Sequence, residues 1–167
     1  EKIKVAMTRT TDINVGISAR AHVARDNGAK LFFCLHFNGS ADTTARRVET
    51  FYRALSNVNV NVGEDIEFCK IVQESVFKSL KSLDKKSRDG GVKPDTDTKP
   101  RVLGVLNDSS LGNTSSNHKC RAAYMELEFI SNPSVDKLLI SGSDSIANRT
   151  AVLAQLARDI RSYMRSF

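Results

Sequence analysis

The stretch Leu31-Phe-Phe-Cys-Leu-His-Phe-Asn-Gly39 constrains this chain more than any other. It is an uninterrupted apolar run that ends on one imidazole and a polar, glycine-containing loop. A strand with only one buried face alternates polar and apolar residues, and this run does not. It must therefore be covered on both faces, as strands of α/β proteins usually are. His36 falls at its carboxyl end, where open α/β sheets place ligands and metals. A second run, Ala122-Ala-Tyr-Met-Glu-Leu-Glu-Phe-Ile130, carries Glu126 and Glu128 where a buried strand should carry no acid. Buried carboxylates are costly unless paired, protonated or metal-bound. An imidazole and an acid on two separate buried strands point to a hydrolytic metal site.

At 167 residues and 40% hydrophobic, the chain is long enough for one domain with one core. No segment approaches the roughly 18 apolar residues of a membrane span. The start, Glu1-Lys-Ile-Lys-Val-Ala-Met7, is too short and too charged for a secretory leader, although a leader could have been removed. The net charge of +6 favours an anionic partner, either nucleic acid or an acidic polymer such as a bacterial wall. There is no Trp, and few aromatics are interleaved with the basic residues. A nucleic-acid platform is therefore not expected, and the charge reads as a solvated basic surface.

The three cysteines form no CxxC pair, which argues against a zinc knuckle. Cys34 and Cys69 read as small core residues. Cys120 stands in a polar loop near His118, where a nucleophile pair is an alternative to a merely structural thiol.

The pattern predicts strands at 2–8, 31–37, 48–53, 102–106 and 122–130. Helices are expected from the Thr10–Asn14 cap to about Asn27-Gly28, from about Gly63 to Leu83, near Val135–Ile140, and over roughly Ser145–Arg165. The long helix carries Ile66, Cys69, Val72, Val76, Leu80 and Leu83 on one stripe. In the last helix, Leu153, Leu156, Ile160, Tyr163 and Phe167 share a face. Residues 57–62, 84–100 and 107–119 read as loops. Strands alternating with helices indicate a single α/β domain, a twisted and mostly parallel sheet with helices on both faces.

In this order, the segments resemble the zinc-dependent N-acetylmuramoyl-L-alanine amidases called amidase type 3. The matching pieces are Thr8-Arg9…Asp12, Ser18-Ala-Arg20, the His36 strand, Val48-Glu-Thr-Phe-Tyr52, Gly91-Val-Lys93 and Met125-Glu-Leu-Glu-Phe-Ile-Ser-Asn-Pro133. They span nearly the whole chain, 1–167. The resemblance implies hydrolysis of the amide between N-acetylmuramic acid and L-alanine in peptidoglycan, by one zinc ion held by two histidines and a glutamate. It implies that His36 is a metal ligand and Glu126 the catalytic acid/base. It further implies a monomer acting on the cell wall, in the periplasm or outside the cell, as a host autolysin or a phage endolysin.

The chain departs from the family pattern in three places. The family's first histidine and its glutamate ligand precede the Thr8-Arg9 segment, so the further ligands are expected upstream of Glu1; neither His22 nor His118 matches a ligand position. The alternative is a non-catalytic member that binds peptidoglycan or a wall enzyme. Glu128 stands where the family usually has a small residue, and residues two apart on a strand share a face. It either raises a carboxyl pKa in the cleft or pairs with an Arg or Lys as a structural residue. Arg47 stands where the family tends to have Gly, as a surface change or as a contact to the acidic stem peptide. Arg9 and Arg20 are expected to pair with acids such as Asp12.

Overall fold

The structure, a computed structural model, describes residues 3–113 and 119–166. Its α/β architecture holds one four-stranded mixed sheet of order β1-β4-β2-β3. The strands are β1 (Leu31–Asn38), β2 (Val48–Tyr52), β3 (Asp89–Pro94) and β4 (Arg121–Phe129). The main helices are α1 (Ile17–Asp26), α2 (Val62–Leu83), α3 (Pro133–Asp136) and α4 (Ser145–Met164). A π-helical turn, Lys137–Ser141, continues from α3. β1 and β4 run the same way, since Arg121 N donates to Lys30 O at one end and Ile130 N to Asn38 O at the other, both at 3.0 Å.

The chain falls into two compact units. The first comprises residues 1–34, 51–68 and 93–123. Its core is built from Ala21, Ala24, Phe32, Phe51, Phe68, Leu106 and Leu111. The Phe33 and Phe68 rings meet edge to face at 6.5 Å. Several loops close on carboxylates. Asp95 accepts from Ala54 N at 2.9 Å, Leu103 N at 3.2 Å and Asn107 Nδ2 at 2.6 Å.

The expected strand at 102–106 is absent, because Asp95 binds this stretch as a turn. Leu106 N donates back to Leu103 O at 2.9 Å. Residues 3–8 form no strand either. Val5 and Met7 are exposed, and alternation alone does not supply a partner ladder. Helix α1 starts at Ile17 behind Gly16, later than the Thr10–Asn14 signal, and that cap makes no side-chain bond. Among the described residues, Arg9 and Arg20 donate to the carbonyls of Ile13 and Val15, at 3.1 and 2.8 Å, rather than to an acid.

Asp65, one turn before Cys69 on the buried stripe of α2, is the acid that sequence periodicity passed over. Its carboxylate accepts from Asn59 Nδ2 and Ala122 N at 2.8 Å each, and from Asn61 Nδ2 at 3.4 Å. It thereby ties the start of α2 to the start of β4. Burial pushes its pKa up to about 6, against the pull of these three donors. The native state thus keeps this proton to a higher pH than the unfolded chain does. The stabilisation is full below the unfolded pKa of about 4 and is lost as pH rises through about 6. A shift of about two units corresponds to about 3 kcal/mol. Urea unfolding of the parent and of Asp65→Asn at pH 4 and pH 7 should therefore show the parent losing about 3 kcal/mol relative to the variant. A constant difference would mean that Asp65 ionises as an ordinary carboxylate.

The second unit comprises Leu35–Thr50, Cys69–Val92 and Tyr124–Phe167. Cys69, Val72, Val76 and Leu80 of α2 are buried as the stripe predicts, whereas Leu83 is exposed. On α4, Val152, Leu156 and Tyr163 are buried and Leu153 is exposed. Each fully buried Val or Leu contributes about 1.5–3 kcal/mol. Asn132 caps α3 by accepting from Ser134 N at 3.0 Å, with Pro133 in the first turn, as the Ser131–Ser134 signal predicts. β3 begins within this unit, inside the stretch 84–100 expected to be loop. Its ladder starts where Val48 N donates to Arg88 O at 2.9 Å. Edge pairing of this kind needs backbone partners more than apolar side chains.

Candidate active site

β1 and β4 are neighbours in the sheet, and His36 and Glu126 lie on them. The imidazole of His36 stacks on the Tyr124 ring at 4.8 Å, with 19° between the planes. Tyr124 in turn hydrogen-bonds the Glu126 carboxylate. The structure thus joins the two sequence-predicted site residues through an aromatic ring that the sequence did not single out.

Glu126 Oε2 is buried without a hydrogen-bond partner among the described residues. Burial is the main influence on this acid and raises its pKa above the usual glutamate range. The bond from Tyr124 pulls the other way, and the nearby charge of Glu49 adds to the rise. A carboxyl so placed keeps its proton to higher pH than a solvated one, which suits a group that must take up and return a proton.

Glu49, on β2, is itself buried and pairs with Arg47 Nε at 2.8 Å. Its position depends on Gly90. A Cβ there would collide with the Glu49 side chain and lie 2.7 Å from the Val48 carbonyl oxygen. The signal available in the sequence was Glu49 within Val48-Glu-Thr-Phe-Tyr52, an acid in an otherwise buried strand, together with the Gly90-Gly91 pair.

Glu128 has other partners. It is 1% exposed and accepts from Ser87 Oγ at 2.9 Å and from Arg46 Nη2 at 3.2 Å. Arg46 also reaches Asp84 at 3.0 Å. Burial works against the Arg46 cation, but its two carboxylate partners outweigh that and hold its pKa above the ordinary arginine value. The expected Arg partner is present, and it meets Glu128 where that carboxylate is buried. The like charge acting on Glu126 is Glu49, not Glu128.

His22 lies on α1, and His118 falls outside the described residues. Cys120 is fully buried, and burial pushes its thiol up to about 12. Burial thus disfavours the thiolate, and the other member of the expected pair, His118, lies outside the described residues. Among the described residues, no three His, Cys, Asp or Glu side chains group to hold a metal. The fit to a zinc site is therefore partial. His36 offers one imidazole, and Glu126 offers an unpartnered buried oxygen of the kind that a substrate donor, water or a cation would satisfy.

The family model for N-acetylmuramoyl-L-alanine amidase matches residues 1–158. The fold is similar to that of the N-acetylmuramoyl-L-alanine amidase from Clostridium difficile 630, at 22% identity and a TM-score of 0.74, covering 99% of this chain and 74% of that one. It is also similar to the catalytic domain of the amidase CwlV from Bacillus (Paenibacillus) polymyxa var. colistinus, at 17% identity and a TM-score of 0.71, covering 97% and 73%. A third likeness is to the N-acetylmuramyl-L-alanine amidase from Mycobacterium smegmatis, at 20% identity and a TM-score of 0.70, covering 97% and 67%. Among curated proteins, none matches the chain.

Proposed function

Because this chain belongs to the N-acetylmuramoyl-L-alanine amidase family, we propose that it hydrolyses the amide between N-acetylmuramic acid and L-alanine in peptidoglycan. The single observation that carries the reading is Glu126, a buried carboxyl with one unpartnered oxygen and a raised pKa, on the strand that the family resemblance marks as catalytic. Glu126 takes the proton from the attacking water and returns it to the departing amide nitrogen. Tyr124 holds one edge of the carboxyl, and the Glu49 charge keeps its proton affinity high. Burial keeps bulk water from competing for the same proton.

His36 is the ligand that these residues would contribute to zinc. When bound, zinc supplies a Lewis acid for the scissile carbonyl. Such an enzyme works on the cell wall, in the periplasm or outside the cell. Among the described residues, no helix is long and apolar enough to cross a membrane.

Release of L-alanine amino termini from purified peptidoglycan tests the reading, on this chain and on a form extended upstream. Release by the extended form that stops with a zinc chelator and returns with added zinc is the expected result. No release by either form in the presence of zinc would overturn it and leave a wall-binding member of the family.

A further inference from the structure

Two adjacent arginines have opposite fates. Arg46 is buried, and its guanidinium is taken up by Glu128 and Asp84. Arg47 is half exposed, with 50% of its side chain open to solvent, yet it is not loose. Its Nε is paired with the buried Glu49 at 2.8 Å, and its guanidinium carbon stands 5.3 Å from the centre of the Phe129 ring. These contacts engage the inner edge and one face of the guanidinium. Among the described residues, Glu49 is the one acid paired with Arg47.

We propose that Arg47 is a specificity-determining residue that binds a carboxylate on the peptide side of the scissile amide. The inference rests on the amidase reading above. The fork of two terminal N–H groups matches a carboxylate with two parallel hydrogen bonds, a geometry that an ammonium cannot reproduce. Glu49 and Phe129 already hold the side chain, so little conformational freedom is lost when a ligand binds. Its two contacts, Glu49 on β2 and Phe129 on β4, lie on neighbouring strands, and β4 also carries Glu126, on which the Glu49 charge acts. The stem peptide carries carboxylates close to its amide bond to the sugar, and a chain of charge +6 favours them at longer range.

The test uses two muramoyl peptides that differ only at the second residue, whose carboxylate is free in one and amidated in the other. The full-length, zinc-loaded protein should show a KM about 10- to 100-fold lower for the free carboxylate, the range that hydrogen bonds to a charged group provide. Arg47→Gln should raise KM for that peptide by the same factor and so abolish the preference over the amidated one, while the loss of the cation beside Glu49 acts on both peptides alike. Arg47→Lys should recover only part of the preference. A parent without preference, or a preference that survives Arg47→Gln, would overturn the proposal. Calorimetric binding of both peptides to parent and variant separates the two claims. If neither peptide is hydrolysed, the amidase reading fails, and the binding preference alone decides the role of Arg47.

Discussion

Glu126→Gln should lower chelator-sensitive release of L-alanine amino termini by about 10²–10⁴-fold, the usual loss when a general acid/base is removed. The substitution keeps the shape of the side chain, so KM should stay within about threefold, as expected when only a transition-state role is lost. Folding should not suffer. Glu126 is a buried acid whose pKa burial raises, so the charged form is the one the fold disfavours, and an amide relieves that. A thermal melt of the variant at or above the parent, together with lost turnover, assigns the effect to chemistry. Turnover within tenfold of the parent would remove Glu126 from the acid/base role. The acidic limb of the parent's pH–rate profile supplies a second check. Activity needs the carboxylate form for proton abstraction, so it should fall as pH drops through a pKa above the ordinary glutamate value of about 4.3.

The two strands that carry the site were legible because burial on both faces leaves a compositional mark. Leu31–Phe37 and Ala122–Ile130 have almost no polar residues, so His36, Glu126 and Glu128 stood out against them. The partners did not stand out. Tyr124 reads as one more aromatic in a buried run, and only the fold puts its ring on His36. Asp65 falls one turn before Cys69 on an apolar stripe, where periodicity treats an acid as an interruption. Its value lies in three donors that arrive from loops and from β4. β3 was hidden for the opposite reason. Asp89-Gly-Gly-Val-Lys-Pro94 has the composition of a loop, and its strand character comes from the ladder beside β2. Val102–Leu106 shows the converse: apolar residues became a turn because Asp95 offered its backbone a better partner than any strand edge did.

The same-face rule for residues two apart predicted that Glu126 and Glu128 would share an environment, and their partners show that they do not. That difference sets the last prediction. Arg46→Met should destabilise the protein by about 3–5 kcal/mol, the usual cost of leaving a buried charge without its partner. Glu128 is 1% exposed, and without Arg46 its partners among the described residues are only the Ser87 hydroxyl and Phe129 N, the latter a long bond at 3.4 Å. Methionine fills most of the arginine volume, so the loss reports the orphaned charge rather than a cavity. The double variant Arg46→Met, Glu128→Gln should recover most of the stability, because it removes the charge along with its counter-ion. Urea unfolding of the parent, both single variants and the double variant measures this coupling directly. If the losses of the two single variants simply add in the double, Arg46 and Glu128 act independently and the buried pair is not what holds this end of β4.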